Sequence, residues 1–363
     1  MHLDSAFTGD DARFGARRRR QLREAFERAL HLTRDRKADA FCVAGDLYED
    51  AYAGKDTAEY LRRCLAEIAP TRVFLAPGNH DPFAPTSVYG QMHPLPSNVT
   101  LFDERTFRPE RLADGLTLWG MGQTSALDHA RALGGFACTG SGTHLLLFHG
   151  SDQEHMPPGK ETIAPFSDME ISRAGAAHAM VGHFHGKLQG PHYAYPGSPE
   201  PLNISQDGEH TASIITVGDG AVNVAFEPLN STRYVVADLD VSPYADSSSL
   251  ESAIKERLAS IVTSPGAIFC RLRLVGAAAP SLDPDLLTMR SEIREAYPGC
   301  DLVADFAAFD LDAIQHEGNT VRAAFVRETR SRMAAASSAA EREELATALK
   351  LGLLAFARKR LHQ

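Results

Sequence analysis

The sequence predicts an α/β fold, because short apolar runs typical of buried strands alternate with longer amphipathic segments. Residues 40–44 form such a run, a helical pattern follows at about 57–68, and a second run covers residues 72–76. Polar residues follow these runs, as expected where the carboxyl ends of parallel strands meet at one edge of a sheet. The chain of 363 residues is long enough for one large domain and a smaller one.

The other elements are predicted from similar patterns. An apolar face predicts a helix from Arg13 to about Arg36, and a Gly-Asp-Gly turn predicts a hairpin over residues 211–226. Further strands are expected at residues 99–102, 116–120, 143–148 and 179–181. The remaining predicted elements are strand 234–241, helix 250–261, strand 267–274, helix 283–296 with Asp283 as its N-cap, strand 302–309, and helices 320–335 and 341–361. We therefore divide the chain into residues 1–230, 231–318 and 319–363.

Composition limits the classes of function. A net charge of -10 is unfavourable for binding nucleic acid through overall charge, so contact with phosphate would depend on a local patch or on bound cations. The five cysteines are odd in number and widely spaced, which favours reduced thiols over a disulfide framework. Because no apolar stretch is long enough to span a bilayer and no signal peptide begins the chain, we expect a soluble, cytoplasmic protein without membrane contact.

Loops at the ends of four predicted strands carry residues that can bind metal ions. The most distinctive is Gly78-Asn79-His80-Asp81, which follows an apolar run and a proline. The candidate ligands are His2, Asp46, Asn79, His149, His183 and His185. These oxygen and nitrogen ligands suit two divalent cations bridged by the carboxylate of Asp46, with Mn²⁺ favoured over Mg²⁺, Fe²⁺ or Zn²⁺.

These motifs resemble the calcineurin-like metallophosphoesterase superfamily, whose blocks are D-x-H, G-D, G-N-H-D/E, a lone His after a strand, and G-H-x-H. Four of the five blocks are present in order. The run Tyr-Pro-Gly-Ser-Pro-Glu-Pro-Leu at residues 195–202 and the opening at residues 2–7 resemble the SbcD-type DNA repair exonucleases. The resemblance implies a four-layer α-β-β-α sandwich with a C-terminal α+β cap domain and terminal helices.

The resemblance also implies a role for each residue of the site. His2 and His185 would hold one cation, Asn79, His149 and His183 the other, and a water between the cations would lose a proton and attack phosphorus. His80 would stabilise the developing charge or protonate the leaving oxygen. Glu49, three residues beyond Asp46, would orient His80, although an exposed loop glutamate without such a role is an equal alternative.

The first block departs from the family pattern. The Asp of D-x-H would precede Met1, and the strand that carries it would be missing as well. Its loss should leave backbone groups of the sheet without partners. Two explanations compete, a start downstream of the natural one and a variant with a weakened first site, and we expect the first. Asp4 could substitute as a ligand, but the order H-x-D reverses the motif.

A basic run follows the first loop. Arg17, Arg18, Arg19 and Arg20 are consecutive and therefore point all around the predicted helix. A solvated helix end paired with neighbouring acids is the default interpretation, and a patch that binds substrate phosphate is the alternative.

The resulting hypothesis is a two-metal DNA exo/endonuclease subunit that acts in DNA repair. The first alternative is a phosphodiesterase or phosphatase acting on small nucleotides, which the acidic charge favours. The second is a catalytically weakened scaffold that binds DNA or an ATPase. The resemblance implies DNA, an SMC-like coiled-coil ATPase and a second copy of the chain as partners, a second domain that selects the DNA form, and terminal helices that dock on the ATPase or pack on their own domain.

Overall fold

The computed structural model describes residues 1–7, 12–156, 159, 161–218, 221–264, 266–278, 282, 284–307, 309 and 311–358. The chain divides after Arg233 into two units, Met1–Arg233 and Tyr234–Gln363. The terminal helices, which the sequence analysis treated as a separate segment, belong to the second unit.

The first unit contains two sheets, one hairpin and four helices among its described residues. In chain order the elements are α1 (Ala12–Asp35), β1 (Ala40–Ala44), α2 (Lys55–Ala66), β2 (Arg72–Ala76), α3 (Val88–Gln91), β3 (Val99–Leu101), β4 (Arg108–Ala113), β5 (Leu116–Gly120), β6 (Thr143–His149), α4 (Asp168–Arg173), β7 (His178–Gly182), β8 (Leu188–Gln189), β9 (Tyr193–Tyr195), β10 (Thr211–Gly218) and β11 (Ala221–Pro228).

The strands that carry the predicted ligands are parallel within each sheet. The first sheet has the order β1-β2-β3 and is fully parallel, with β1 at one edge. The second has the order β4-β5-β6-β7-β9-β8, with parallel pairing from β5 to β9 and antiparallel edge strands β4 and β8. Strands β10 and β11 form the antiparallel hairpin that the sequence predicted.

Strand β6 shows why these strands are almost wholly apolar. Its residues Leu145 and Leu147 pack with Phe74 of β2 in a cluster shared by the two sheets. Leu146 and Phe148 lie in a different cluster, which includes residues of β7 and α4. Because successive side chains of a strand point to opposite faces, a strand buried on both faces needs apolar residues throughout.

The helices before and after β1 cover the first sheet. Leu22 and Phe26 of α1 and Leu61 of α2 are buried together with Val73 and Leu75 of β2. The spacing of the two α1 residues places both on the face that meets the sheet. Burial of this face holds α1 against the first sheet.

The second unit is a small α+β body followed by helices. Its elements are β12 (Arg233–Asp240), α5 (Ser247–Ile261), β13 (Ile268–Ala277), α6 (Leu286–Ala296), β14 (Asp301–Ala307), α7 (Leu311–Gln315), α8 (Val321–Ala335) and α9 (Ala339–Arg358). The three strands form one sheet in the order β12-β13-β14. Leu349 and Leu353 of α9 are buried with Val326 of α8 and Ile314 of α7, so the apolar stripe of the last helix is covered within its own unit.

The predicted α/β class is confirmed, and most element boundaries differ from the prediction by a few residues. The predicted N-cap Asp283 lies outside the described residues, and α6 instead begins after Asp285, whose carboxylate accepts a hydrogen bond from the backbone N–H of Thr288 at 3.1 Å. The sequence pattern does not predict α3, α4, α7, β4, β8 or β9. Within the described residues, every helix is too short or too polar to cross a membrane.

Candidate metal centre

Five of the six predicted ligands lie in two groups that share Asp46, and the sixth, Asn79, contacts His149 of the second group through its Oδ1. One group consists of His2, Asp46 and His185, the other of Asp46, His149 and His183, and within each group the ligand atoms lie within 4.8 Å of one another. The carboxyl ends of β1, β2, β6 and β7 and the loops that follow them carry five of the six ligands, because the carboxyl ends of parallel strands face the same region.

In the second group, the atoms that could bind a metal ion converge on one point. His149 Nε2 lies 2.9 Å from Asn79 Oδ1 and 3.3 Å from Asp46 Oδ2. The side chain of His149 is fully buried, and burial lowers its pKa, so the neutral imidazole is favoured. His149 Nδ1 lies 2.9 Å from the carbonyl oxygen of Ala44, which can only accept, so the proton of the neutral ring is on Nδ1.

The position of this proton has a direct consequence for the metal centre. His149 Nε2 presents a lone pair toward two oxygen atoms that also present lone pairs. The same reasoning applies to His183, because its Nε2 lies 3.0 Å from the carbonyl oxygen of Glu161, which places the proton of a neutral ring on Nε2 and a lone pair on Nδ1. A divalent cation satisfies all of these lone pairs at once, so the residues fit the metal that the sequence motifs predicted.

The first group is built around the chain start. The backbone N–H groups of His2 and Leu3 donate to the carbonyl oxygens of Asp46 and Leu47, at 2.8 and 2.9 Å. These bonds place His2 Nε2 at 3.1 Å from His185 Nε2 and 3.6 Å from Asp46 Oδ2. Ligand atoms of one octahedral cation lie about 3 Å apart when each bond is about 2.1 Å long. The spacing in both groups therefore matches one cation each.

Asp46 is positioned to serve both groups. Its Oδ1 accepts a hydrogen bond from the backbone N–H of His80 at 3.0 Å, and its Oδ2 faces His2 and His149. Burial alone would raise the pKa of Asp46, but the adjacent imidazoles of His149, His2 and His80 and the His80 N–H hold it below its ordinary value. The carboxylate is therefore ionised and available as a bridge.

Glu49 contacts both His2 and His80. Its Oε1 lies 2.6 Å from His2 Nδ1, and its Oε2 lies 3.0 Å from His80 Nδ1. Partial burial acts to raise the pKa of Glu49, but the hydrogen bonds from His2 and His80 lower it to about 2. The bond to His80 was expected, whereas the bond to His2 was not. Each imidazole donates through Nδ1, so each Nε2 is directed away from Glu49.

Asp81 is a residue of this centre whose role the sequence analysis missed. It is fully buried and accepts hydrogen bonds from the backbone N–H groups of Asp46, Leu47 and Gly78 and from the hydroxyl of Tyr89. Burial and the charge of Asp46 raise the pKa of Asp81 to about 7. Its position at the end of the Gly-Asn-His-Asp motif was the available signal. Asp81 joins the loops after β1 and β2.

The backbone around the ligands is tightly constrained. His2, Asp46 and His183 have positive φ angles of 55, 53 and 115°, which are uncommon for residues with a side chain. A Cβ atom at Gly78 would lie 2.4 Å from Asp46 Oδ1, and one at Gly182 would lie 1.7 Å from the carbonyl oxygen of Ala44. Glycine at both motif positions therefore permits the close approach of the loops.

The predicted arginine patch is wrong for Arg18. Its side chain is fully buried, and its guanidinium donates to Gln21 at 2.6 Å and to Thr232 at 2.9 Å. Arg20 is 70% exposed and pairs with Glu24, while Arg17 and Arg19 are half-buried. Packing of α1 covers one of the four directions in which consecutive helical residues point. Arg18 therefore has a structural role.

Asp4 also has hydrogen-bond partners outside the ligand groups. Its carboxylate accepts hydrogen bonds from Arg23, at 3.1 Å, and from the hydroxyl of Thr57. It belongs to none of the ligand groups found among the described residues. The interpretation that Asp4 replaces the missing ligand is therefore not supported.

Two groups of oxygen and nitrogen ligands that share one carboxylate, with an additional imidazole beside them, define a metal-dependent phosphoester hydrolase. The calcineurin-like phosphoesterase family model matches residues 2–187, about half of the sequence, and the chain belongs to this family. The sequence is also similar to YhaO, an uncharacterized metallophosphoesterase of Bacillus subtilis (strain 168). The identity is 23% over 303 residues, which cover 77% of this chain and 70% of that protein.

Proposed function

We propose that this chain hydrolyses phosphodiester bonds in DNA with two divalent cations, in the manner of an SbcD-type exo/endonuclease subunit acting in DNA repair. The observation that carries the proposal is the placement of His80 beside two buried ligand groups. The His80 side chain is 42% exposed, whereas His2 and Asp46 are almost fully buried. A phosphate group of a long polymer can therefore approach the centre from the side of His80.

The proposed cation ligands are the residues of the two groups. His2, Asp46 and His185 would hold one cation, and Asp46, Asn79, His149 and His183 the other. Bound divalent cations would lower the pKa of a water molecule and neutralise charge on the phosphate. The mixture of imidazole, amide and carboxylate donors favours Mn²⁺, with Mg²⁺, Fe²⁺ and Zn²⁺ as the ions to compare.

His80 and Glu49 are the proposed catalytic and positioning residues. His80 Nδ1 donates to the ionised Glu49 carboxylate, which leaves Nε2 to deliver a proton to the leaving oxygen. The Glu49 carboxylate also stabilises a positively charged His80 ring, the form that carries this proton. His80 thus supplies the acid, and Glu49 fixes the orientation of its ring.

The preference for DNA rests on the motif at residues 195–202 and on its resemblance to SbcD-type nucleases. This segment supports the centre, because the backbone N–H of Ser198 donates to the carbonyl oxygen of His185 at 3.0 Å. Glu200 is fully buried and accepts hydrogen bonds from Arg28, Ser231 and Thr232. The same resemblance underlies the proposed association with an SMC-like ATPase, the homodimer and the capping role of the second unit.

The test is Mn²⁺-dependent hydrolysis of end-labelled linear duplex DNA, with bis(p-nitrophenyl) phosphate as the small substrate. His80→Ala should keep Mn²⁺ binding and lower kcat by about 10²- to 10⁴-fold. His129→Ala is the matched control, because His129 is exposed and its Nδ1 donates to the loop carbonyl oxygen of Thr162; it should leave kcat unchanged.

The outcomes separate the candidate functions. Cleavage of DNA supports the proposal, and loss of Mn²⁺ binding in His80→Ala would make His80 a ligand instead. Hydrolysis of the small diester without cleavage of DNA would favour an enzyme acting on small nucleotides, which the charge of -10 supports. Metal binding without turnover on either substrate would favour a scaffold.

A further inference from the structure

A glutamine lies directly behind His185. Gln206 Nε2 is 2.6 Å from His185 Nδ1, and Gln206 Oε1 accepts a hydrogen bond from the backbone N–H of Leu202 at 2.8 Å. The backbone of Gln206 is held as well, because its carbonyl oxygen lies 3.0 Å from His210 Nε2 and its N–H donates to Asn203. The amide is therefore fixed at both ends.

The orientation of the amide determines the tautomer of His185. The N–H of Leu202 can only donate, so it must face the amide oxygen. The amide nitrogen, which also donates, then faces His185 Nδ1, and this nitrogen must accept. A neutral His185 consequently carries its proton on Nε2.

The neighbouring His2 completes this hydrogen-bond network. His2 Nδ1 donates to Glu49, so His2 Nε2 carries a lone pair. His185 Nε2 lies 3.1 Å away and can donate its proton to that lone pair. In the absence of a cation, every donor in this chain of contacts therefore meets an acceptor.

The other proposed histidine ligands have the opposite arrangement. His2, His149 and His183 each turn the nitrogen that does not face the centre toward a carboxylate or carbonyl oxygen, and this keeps the nitrogen that faces the centre unprotonated. His185 faces an amide N–H instead. To bind a cation through Nε2, His185 must move its proton to Nδ1, and the amide must rotate and lose the bond from Leu202.

We infer that Gln206 is a positioning residue that holds His185 in the tautomer unable to bind a cation and thereby weakens the site formed by His2, Asp46 and His185. The inference rests on the proposed function, because that function requires the cation. A carboxylate at position 206 accepts from Leu202 N–H and from His185 Nδ1–H at the same time. Gln206→Glu should therefore strengthen this site.

The first measurement requires neither metal nor activity. Long-range ¹H–¹⁵N correlation spectra of the metal-free full chain report which ring nitrogen of each histidine carries the proton, and a His185→Asn variant identifies the signals of His185. We expect the Nε2–H tautomer in the unaltered chain and the Nδ1–H tautomer in Gln206→Glu. An Nδ1–H signal from His185 in the unaltered chain would overturn the inference.

The second measurement is calorimetric titration of the full chain with Mn²⁺. Gln206→Glu should raise the affinity of the weaker site by about 10- to 100-fold, the range found for residues that orient metal ligands. Asn203→Asp is the matched control, because it adds the same charge in the same exposed loop while its oxygen already accepts from Ser205. It should change the affinity much less.

The titration distinguishes the two ideas. If Mn²⁺ binds and Gln206→Glu leaves the affinity unchanged, or changes it no more than Asn203→Asp does, the inference fails and the proposed function stands. If neither the unaltered chain nor Gln206→Glu binds Mn²⁺, the two-cation function fails, and the predicted gain in affinity fails with it.

Discussion

Replacing Glu49 by glutamine tests the link between the ligand His2 and the proposed acid His80. The carboxylate accepts from His2 Nδ1 at 2.6 Å and from His80 Nδ1 at 3.0 Å. Glutamine has the same shape but only one acceptor atom, so its NH₂ group must face one of the two imidazole N–H groups. The shorter bond to His2 should keep the oxygen, and His80 should lose its partner.

The size of the effect follows from the loss of one hydrogen bond to a charged group. Such a bond contributes about 1.5–3 kcal/mol, and about 1.4 kcal/mol corresponds to a tenfold change in rate. Glu49→Gln should therefore lower kcat by about 10- to 100-fold. Mn²⁺ binding should change little, because the bond that orients His2 is retained.

The assay is hydrolysis of bis(p-nitrophenyl) phosphate at saturating Mn²⁺, combined with calorimetric measurement of Mn²⁺ binding. Asp50→Asn is the matched control, because it removes the same charge at the next, exposed position and should leave kcat unchanged. A kcat of Glu49→Gln within twofold of the unaltered chain would show that the contact with His80 has no role in turnover. A large loss of Mn²⁺ binding with normal kcat at saturation would assign Glu49 to His2 alone.

Three further predictions concern stability, each measured by urea denaturation of the metal-free chain. Asp81→Ala should lower the free energy of unfolding by about 3–5 kcal/mol, since three backbone N–H groups and the Tyr89 hydroxyl lose their acceptor; a loss below about 1 kcal/mol would contradict this account. Burial and then His192 lower the pKa of His178 from 6.5 to about 4, so its contribution to stability is complete above the unfolded pKa, and about 3 kcal/mol should be lost as the pH falls from the unfolded to the folded pKa, but not in His178→Leu. Arg18→Ala should lower the free energy of unfolding by about 3 kcal/mol, because Arg18 is buried, and Arg20→Ala by less than about 0.5 kcal/mol, because Arg20 is exposed. Equal effects of the two changes would contradict the structural role of Arg18.

Some strands can be recognised only from the strand with which they pair, because their local sequence pattern does not reveal them. Strand β4 (Arg108–Ala113) contains two arginines, a proline and a glutamate, and alternate side chains are exposed. Its backbone nevertheless pairs with β5, from Arg108 opposite Gly120 to Ala113 opposite Leu116. Edge strands are often polar, because one side of the strand meets solvent. The hydrophobic pattern alone therefore could not identify it.

The arginine run shows that a local pattern within a helix also cannot tell which side chain is buried. Four consecutive arginines point in four directions, and their sequence is identical whichever direction is covered. Contacts with Thr232, a residue 214 positions away, bury Arg18 and leave Arg20 exposed. Only the packing of α1 against distant segments determines which of the arginines is buried.

The sequence by itself determined the α/β class, the order of the main strands and helices, and the candidate ligands that the fold brings together. It did so because hydrophobic periodicity and glycine-containing loops are local properties, and because parallel strands bring their carboxyl ends to one region. Only the tertiary structure decided which nitrogen of each histidine faces the centre, that Glu49 also contacts His2, that Asp81 joins two loops, and that Gln206 lies behind His185. These features depend on contacts between residues far apart in the chain, where the direction of a hydrogen bond is set by the neighbour that the fold supplies.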